Sequence, residues 1–185
     1  MHICCSNCAA YPVQTLKSRG FSVRGFWFNP NIHPLMEYRS RLDSVMKLQE
    51  LWGLDIDYAG DYGLIEFLKN VVNDEENRCR YCYFVRLEAA AARARETGAE
   101  AFTTSLLVSP YQNFDIIKEA GLMMQEKYSV EFYFEDFRSG FAEGRRIAAE
   151  LNLYRQKYCG CIYSEMERHA GQKKKNAPDK REWAG

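Results

Sequence analysis

All seven cysteines of this chain fall in three short stations: Cys4-Cys5-Ser6-Asn7-Cys8, Cys79-Arg80-Tyr81-Cys82 and Cys159-Gly160-Cys161. A fold that left them scattered would waste the grouping, so the stations constrain the architecture more than any other feature. No basic start followed by an apolar h-region precedes Cys4, and no apolar run approaches the ~18 residues of a membrane span. These features predict a cytoplasmic protein with no membrane partner. In that reducing compartment, an odd and clustered set of thiols reads as metal-binding or redox-active before it reads as a disulfide framework.

A chain of 185 residues can bury roughly 70% of its unfolded surface, so it needs no disulfide staples. A single α/β metalloenzyme domain is expected over 1–169. The basic stretch 170–185, with Lys173-Lys174-Lys175 and Lys180-Arg181, is expected to be a disordered tail. Formal net charge is zero, so a polyanion site must be a local patch.

Hydrophobic periodicity and stop signals predict five strands alternating with helices. The strands are His2–Cys5, Phe21–Phe28, Leu54–Ala59, Ala101–Leu107 and Val130–Glu135. The helices are Ala9–Arg19 closed by Gly20, Leu35–Trp52 closed by Gly53, Leu64–Val72, about Arg78–Thr97, one capped by Asn113, about Glu143–Leu153 and Ile162–His169. Such alternation implies a doubly wound, mostly parallel five-stranded sheet of Rossmann-like type with helices on both faces. Ligands of such sheets collect beyond the carboxyl ends of the strands at the switch point. That would set Cys4, Cys5 and Cys8 beside Ser105–Tyr111.

Cys4 and Cys5 can serve one site only where the strand ends and the backbone turns. Cys8 lies a helical turn on, near a helix N-terminus that favours thiolate. Cys79 and Cys82 are spaced i, i+3, on one face of a helix. Four thiolates meet the ligand count of a [4Fe-4S] cluster and equally that of structural zinc. A disulfide between Cys159 and Cys161 would be strained and easily reduced, which suits a redox relay, and the pair could instead hold a second metal. Nucleotide-binding relatives of this sheet carry a Gly-rich phosphate loop after the first strand, whereas here the place is filled by the first cysteine station. That disfavours ATP use. Arg138, Arg145, Arg146, Arg155 and Lys157, interleaved with Phe141, Tyr154 and Tyr158, suit phosphates and unpaired bases of RNA.

Beyond the cysteines, the chain carries Asn29-Pro30-Asn31-Ile32-His33-Pro34, Phe102-Thr103-Thr104-Ser105-Leu106-Leu107-Val108-Ser109-Pro110-Tyr111, Glu135-Asp136-Phe137-Arg138 and Tyr154-Arg155-Gln156-Lys157-Tyr158-Cys159-Gly160-Cys161. With the first two stations, this ordered set resembles the epoxyqueuosine reductase QueH family over nearly all of Ile3–His169. The chain departs from that pattern at Ser6-Asn7, where Ala-Pro is commoner.

The resemblance implies reduction of epoxyqueuosine to queuosine at the wobble position of the tRNA anticodon, with a [4Fe-4S] cluster, an adjacent iron, no cobalamin and an unidentified electron donor. It implies Cys4, Cys5, Cys79 and Cys82 as cluster ligands, with Cys159 and Cys161 as a redox-active pair or second-metal ligands. Cys8 and Asp136 are further candidate ligands. An open-site iron could act as Lewis acid on the epoxide oxygen, with Asp136 or Tyr111 delivering a proton. Two readings compete with this one: an ATP-dependent tRNA sulfur-transfer enzyme on a related sheet, and a zinc-stabilised RNA-binding module without catalysis.

Overall fold

The structure, a computed structural model, describes residues 1–176, with side chains through 170. Of the basic stretch expected to form a tail, 177–185 lie outside the described residues. Among the described residues seven α-helices dominate: α1 (Ser6–Ser18), α2 (Leu35–Trp52), α3 (Leu64–Val71), α4 (Arg78–Glu96), α5 (Phe114–Tyr128), α6 (Phe141–Glu150) and α7 (Ile162–Asn176). The strands are β1 (Arg24–Trp27), β2 (Asp55–Tyr58), β3 (Ala101–Phe102) and β4 (Glu131–Phe132).

The expected five-stranded doubly wound sheet is not what forms. Among the described residues there are two separate two-stranded parallel sheets, β1 with β2 and β3 with β4. The segment expected as the first strand contributes only isolated parallel bridges from His2 to Phe26 and Thr104. Its backbone is nonetheless satisfied: the Ile3 N–H donates to the Phe26 carbonyl at 2.8 Å, and the Ser105 N–H to the His2 carbonyl at 2.9 Å. Helical turns at their carboxyl ends cut these segments short. Cys5 already caps α1 in an extended conformation, and Thr104 accepts the Leu106 N–H through its hydroxyl, turning the chain into a 3-10 helix at Ser105–Val108. A side chain that bonds its own downstream backbone competes with the ladder and ends it.

The helices keep closer to their sequence signals. Asn113 caps α5, its side chain accepting the Ile116 N–H at 3.2 Å, as a short polar side chain at this position does. Gly53 closes α2 in the left-handed conformation. α4 packs on α5, and α1 on α6. Near Cys8 the α1–α6 approach is close enough that a Cβ on Gly144 would lie 2.8 Å from the Asn7 carbonyl oxygen. Cys4, Cys5 and Cys8 belong to the core built on α1, α4, α5 and the short strands, whereas Cys82 and Cys161 pack with Phe67 and Val71 in a smaller one.

The proline-rich loop before α2 turns inward. The Asn29 amide donates to the Ile3 carbonyl at 2.8 Å, the His33 N–H to the Gly160 carbonyl at 2.7 Å, and the Tyr158 hydroxyl to the His33 carbonyl at 2.7 Å. The fully buried His33 ring lies against Phe67 and Tyr62, and burial pushes its pKa down to about 4. The unfolded chain, near 6.5, therefore takes up this proton first. The stability His33 contributes as a neutral ring is present at neutral pH and lost as pH falls from about 6.5 towards about 4. Between pH 7 and pH 5 this amounts to roughly 2 kcal/mol. Denaturant unfolding of metal-free protein at the two pH values should show at least that loss, because the fully buried His2, held down to about 3, adds its own, and His33→Asn should shrink it whatever it does to absolute stability. An unchanged pH difference in the variant would contradict the assignment.

Candidate metal centre and its cleft

α1 begins where the first station needs a turn. With Cys5 extended (φ −171°, ψ 163°) and Ser6 opening the helix, the Sγ atoms of Cys4, Cys5 and Cys8 converge within 4.8 Å of one another, all three side chains buried. Ser105 clamps the first of them, its Oγ accepting the Cys4 N–H at 3.0 Å and donating to Cys4 Sγ at 3.3 Å. The Gln156 amide donates to Cys5 Sγ at 3.0 Å and Cys8 Sγ at 3.5 Å, and is itself oriented by the Asn7 amide at 3.0 Å.

Three buried thiols this close do not ionise alike. Hydrogen bonds from Cys5 and Cys8 hold the Cys4 thiol well below the usual range, outweighing the cost of its burial. Burial, and then its bond to Cys4, push Cys5 up. Bonds to Cys4 and Cys5, and after them burial, push Cys8 up. The triad thus favours one thiolate stabilised by two thiols. Losing the remaining protons needs a cation among the sulfurs, which is what thiolate-ligated metal supplies.

The other four thiols form a second set. Cys82 on α4 is buried and Cys79, a turn earlier, is exposed. Burial raises both, and the charges of Cys159 and Cys161 raise both further, so these four lie within electrostatic reach of one another. Cys159 is exposed and accepts an N–H from the Gln112 amide at 3.3 Å. Cys161 is buried, and its sulfur accepts the Ser164 N–H in the first turn of α7. Gly160 between them sits at φ +153°, where a Cβ would lie 3.2 Å from Arg41 Nη1 and 3.3 Å from Ile32, so glycine is required. The fully buried Arg41 ties this loop down, donating to the Cys159 carbonyl at 2.7 Å and the Tyr158 carbonyl at 3.0 Å while paired with Glu37.

Cys4, Cys8 and Cys159 open on one cleft of about 770 Å³. Among the described residues its walls carry no carboxylate, but they do carry Arg41, Arg145, Arg155, Lys157 and Arg168. Tyr111, 81% exposed, stands at the mouth edge-on to Phe141. The arginines noted in the sequence are sorted by the fold. Arg146 is taken up by Glu143 and Glu150, and Arg138 by Asp136. Arg145, Arg155 and Lys157 face the cleft and enter no ion pair among the described residues. Asp136 is not brought to the cleft. It is bonded by Arg138 at 2.6 and 2.8 Å, which holds its carboxyl below the usual range. The sequence alone does not single out Ser105, Gln112, Gln156, Arg41 or Arg86 as site residues. Position could have found Arg86, one turn after Cys82, and Gln156, three residues before Cys159.

Comparison with known proteins gives this geometry its context. The family model described as epoxyqueuosine reductase QueH matches residues 1–167. The chain belongs to the QueH family. It is 40% identical over 179 residues to the epoxyqueuosine reductase QueH of Dehalococcoides mccartyi, covering 96% of each chain. It is 38% identical over 178 residues to that of Thermotoga maritima, covering 91% of this chain and 90% of the relative. The QueH relative from Helicobacter pylori is 37% identical, and the match spans 48% of its length. The QueH match therefore spans all three cysteine stations and every residue lining the cleft except Arg168 and His169.

Proposed function

We propose that this chain, an oxidoreductase of queuosine biosynthesis by its family, reduces epoxyqueuosine to queuosine in the anticodon loop of tRNA. The observation that carries the reading is the cation-walled cleft, free of acids among the described residues, onto which thiols of both sets open. A nucleotide in a polyanionic strand fits such a cleft, and an ATP site is not needed to explain it. No helix is long and apolar enough to cross a membrane among the described residues.

The donor set fits an iron–sulfur centre. Three buried thiols converge within 4.8 Å, amide and hydroxyl N–H and O–H groups point at the sulfurs, and the buried Arg86 offsets the negative charge that thiolates bring. In this reading a [4Fe-4S] cluster and an adjacent iron draw their ligands from Cys4, Cys5, Cys8, Cys79 and Cys82, with Cys159 and Cys161 as the redox-active pair. When bound, the group would supply electrons one at a time from an electron donor. Converting an epoxide to an alkene breaks two C–O bonds, consumes two electrons and two protons, and releases water. Cys159, oriented by Gln112, meets the substrate at the cleft wall. Tyr111 meets it at the mouth, where its phenol is the proton donor of this reading, and the cationic walls hold the flanking phosphates. Asp136, held ionised by Arg138 away from the cleft, has no part in it.

Protein purified without oxygen should be brown, contain iron and sulfide in equal amounts within the cluster, and convert epoxyqueuosine in tRNA to a nucleoside lighter by one oxygen when supplied with a chemical reductant. Colourless, zinc-loaded protein would overturn the reading in favour of the non-catalytic RNA-binding alternative.

A further inference from the structure

Arg86 stands one turn beyond Cys82 on α4 and is 2% exposed. Its Nε donates to the Cys82 carbonyl at 2.8 Å and its Nη2 to Cys82 Sγ at 2.9 Å. No carboxylate lies within ion-pair distance of it among the described residues. Its charge acts on thiols of both sets, Cys82 and Cys159 in one and Cys4 in the other. The contrast with Arg41, the other fully buried arginine, is direct, since Arg41 has Glu37. A buried guanidinium left without an anion is strongly destabilising. A fold that keeps one at this place keeps negative sulfur beside it.

The same turn of helix reaches the cleft by a second route. The Arg86 guanidinium lies 6.0 Å from the Tyr83 ring centre, the Tyr83 hydroxyl donates to the Gln112 Oε1 at 2.9 Å, and Gln112 donates to Cys159 Sγ at 3.3 Å. Arg86 thus touches Cys82 directly and Cys159 through two side chains.

We propose that Arg86 is a positioning residue that sets the reduction potential of the metal centre, acting as the fixed counter-cation to its two thiol sets. The inference rests on the reading that the centre holds an iron–sulfur cluster. Each electron added makes a thiolate-ligated cluster more negative, so a permanent cation and an N–H···S bond stabilise the reduced form more than the oxidised one. Removing both makes reduction harder.

The test is a dye-mediated reductive titration of anaerobically purified wild type, Arg86→Lys and Arg86→Met, monitored by absorbance and electron paramagnetic resonance. At the ambient potential where wild type is half reduced, Arg86→Met is expected to be reduced at least tenfold less, and Arg86→Lys to lie between the two. Arg86→Met that fails to take up iron while Arg86→Lys loads fully would also support the proposal, since charge then decides loading. A fully loaded Arg86→Met with an unmoved midpoint overturns it. So does equal iron loss in both variants accompanied by equal loss of thermal stability in the metal-free chains, which would make Arg86 a structural residue. Wild type without iron and sulfide would overturn the functional reading and this inference together, whereas a full wild-type cluster with unmoved variants overturns this inference alone.

Discussion

Cys4→Ala is expected to strip most of the iron from anaerobically purified protein and to lower turnover of epoxyqueuosine in tRNA by at least ~100-fold. Altering residues that merely orient a ligand commonly costs 10–100-fold, so losing the ligand should reach the upper end or beyond. The choice of Cys4 rests on the triad. It is the thiol whose ionisation the neighbours favour, by hydrogen bonds from Cys5 and Cys8, and therefore the first foothold for a metal. Its removal leaves two buried thiols, and burial opposes thiolate at both. Ser105→Ala, which removes only the hydroxyl that clamps Cys4, should give a milder loss of the same kind. Iron and sulfide content, visible absorbance and turnover measure the effect. Normal iron content in Cys4→Ala would remove the first station from the metal centre.

The second large effect belongs to the cleft walls. Replacing Arg145, Arg155 and Lys157 together by alanine should weaken binding of an anticodon stem-loop RNA and flatten its salt dependence. Each cation that neutralises a phosphate of a single strand contributes about 0.7 to the slope of log K against log salt, so the slope should fall by about 2. With binding converging near ~1 M salt, affinity at ~0.1 M should drop by about 100-fold. Arg146→Ala is the matched control, because that guanidinium is already engaged by Glu143 and Glu150 on α6. A titration of RNA binding at several salt concentrations separates them. Equal losses in the triple variant and the control would show that net charge, and not the cleft, governs binding.

Most helices were legible in the sequence because their ends carry local chemistry. Leu35–Trp52 begins after a proline and ends at Gly53, and Phe114–Tyr128 begins at the Asn113 cap; both form with those bounds. The sheet was not legible, since β propensity cannot report that Cys5 and Thr104 stop their segments for other purposes. One serves the thiols and the other folds back on Leu106. The convergence of Cys4, Cys5 and Cys8 could be read from spacing across a helix start. The grouping of Cys79 and Cys82 with Cys159 and Cys161 could not, because it depends on where α4 and the loop after α6 meet. Gln156 and Gln112 escaped notice for a related reason: amides are common on surfaces, and only contact with sulfur distinguishes these two. Asp136, an acid in a shared motif, is bonded by Arg138 and does not line the cleft, a placement no local pattern reports.

The hydrogen bond from Gln156 to Cys5 joins residues 151 apart in sequence. A ribosome therefore releases nearly the whole chain before the first station can meet its partner. The thiols of residues 4–8 spend synthesis without the amide that orients them, open to oxygen and to stray zinc. On the iron–sulfur reading proposed above, the metal is consequently best installed after the loop carrying Gln156 has folded over the amino-terminal helix. Truncation after α6, which removes Gln156 and the third station, should accordingly yield protein that cannot be charged with metal even when the first two stations are intact.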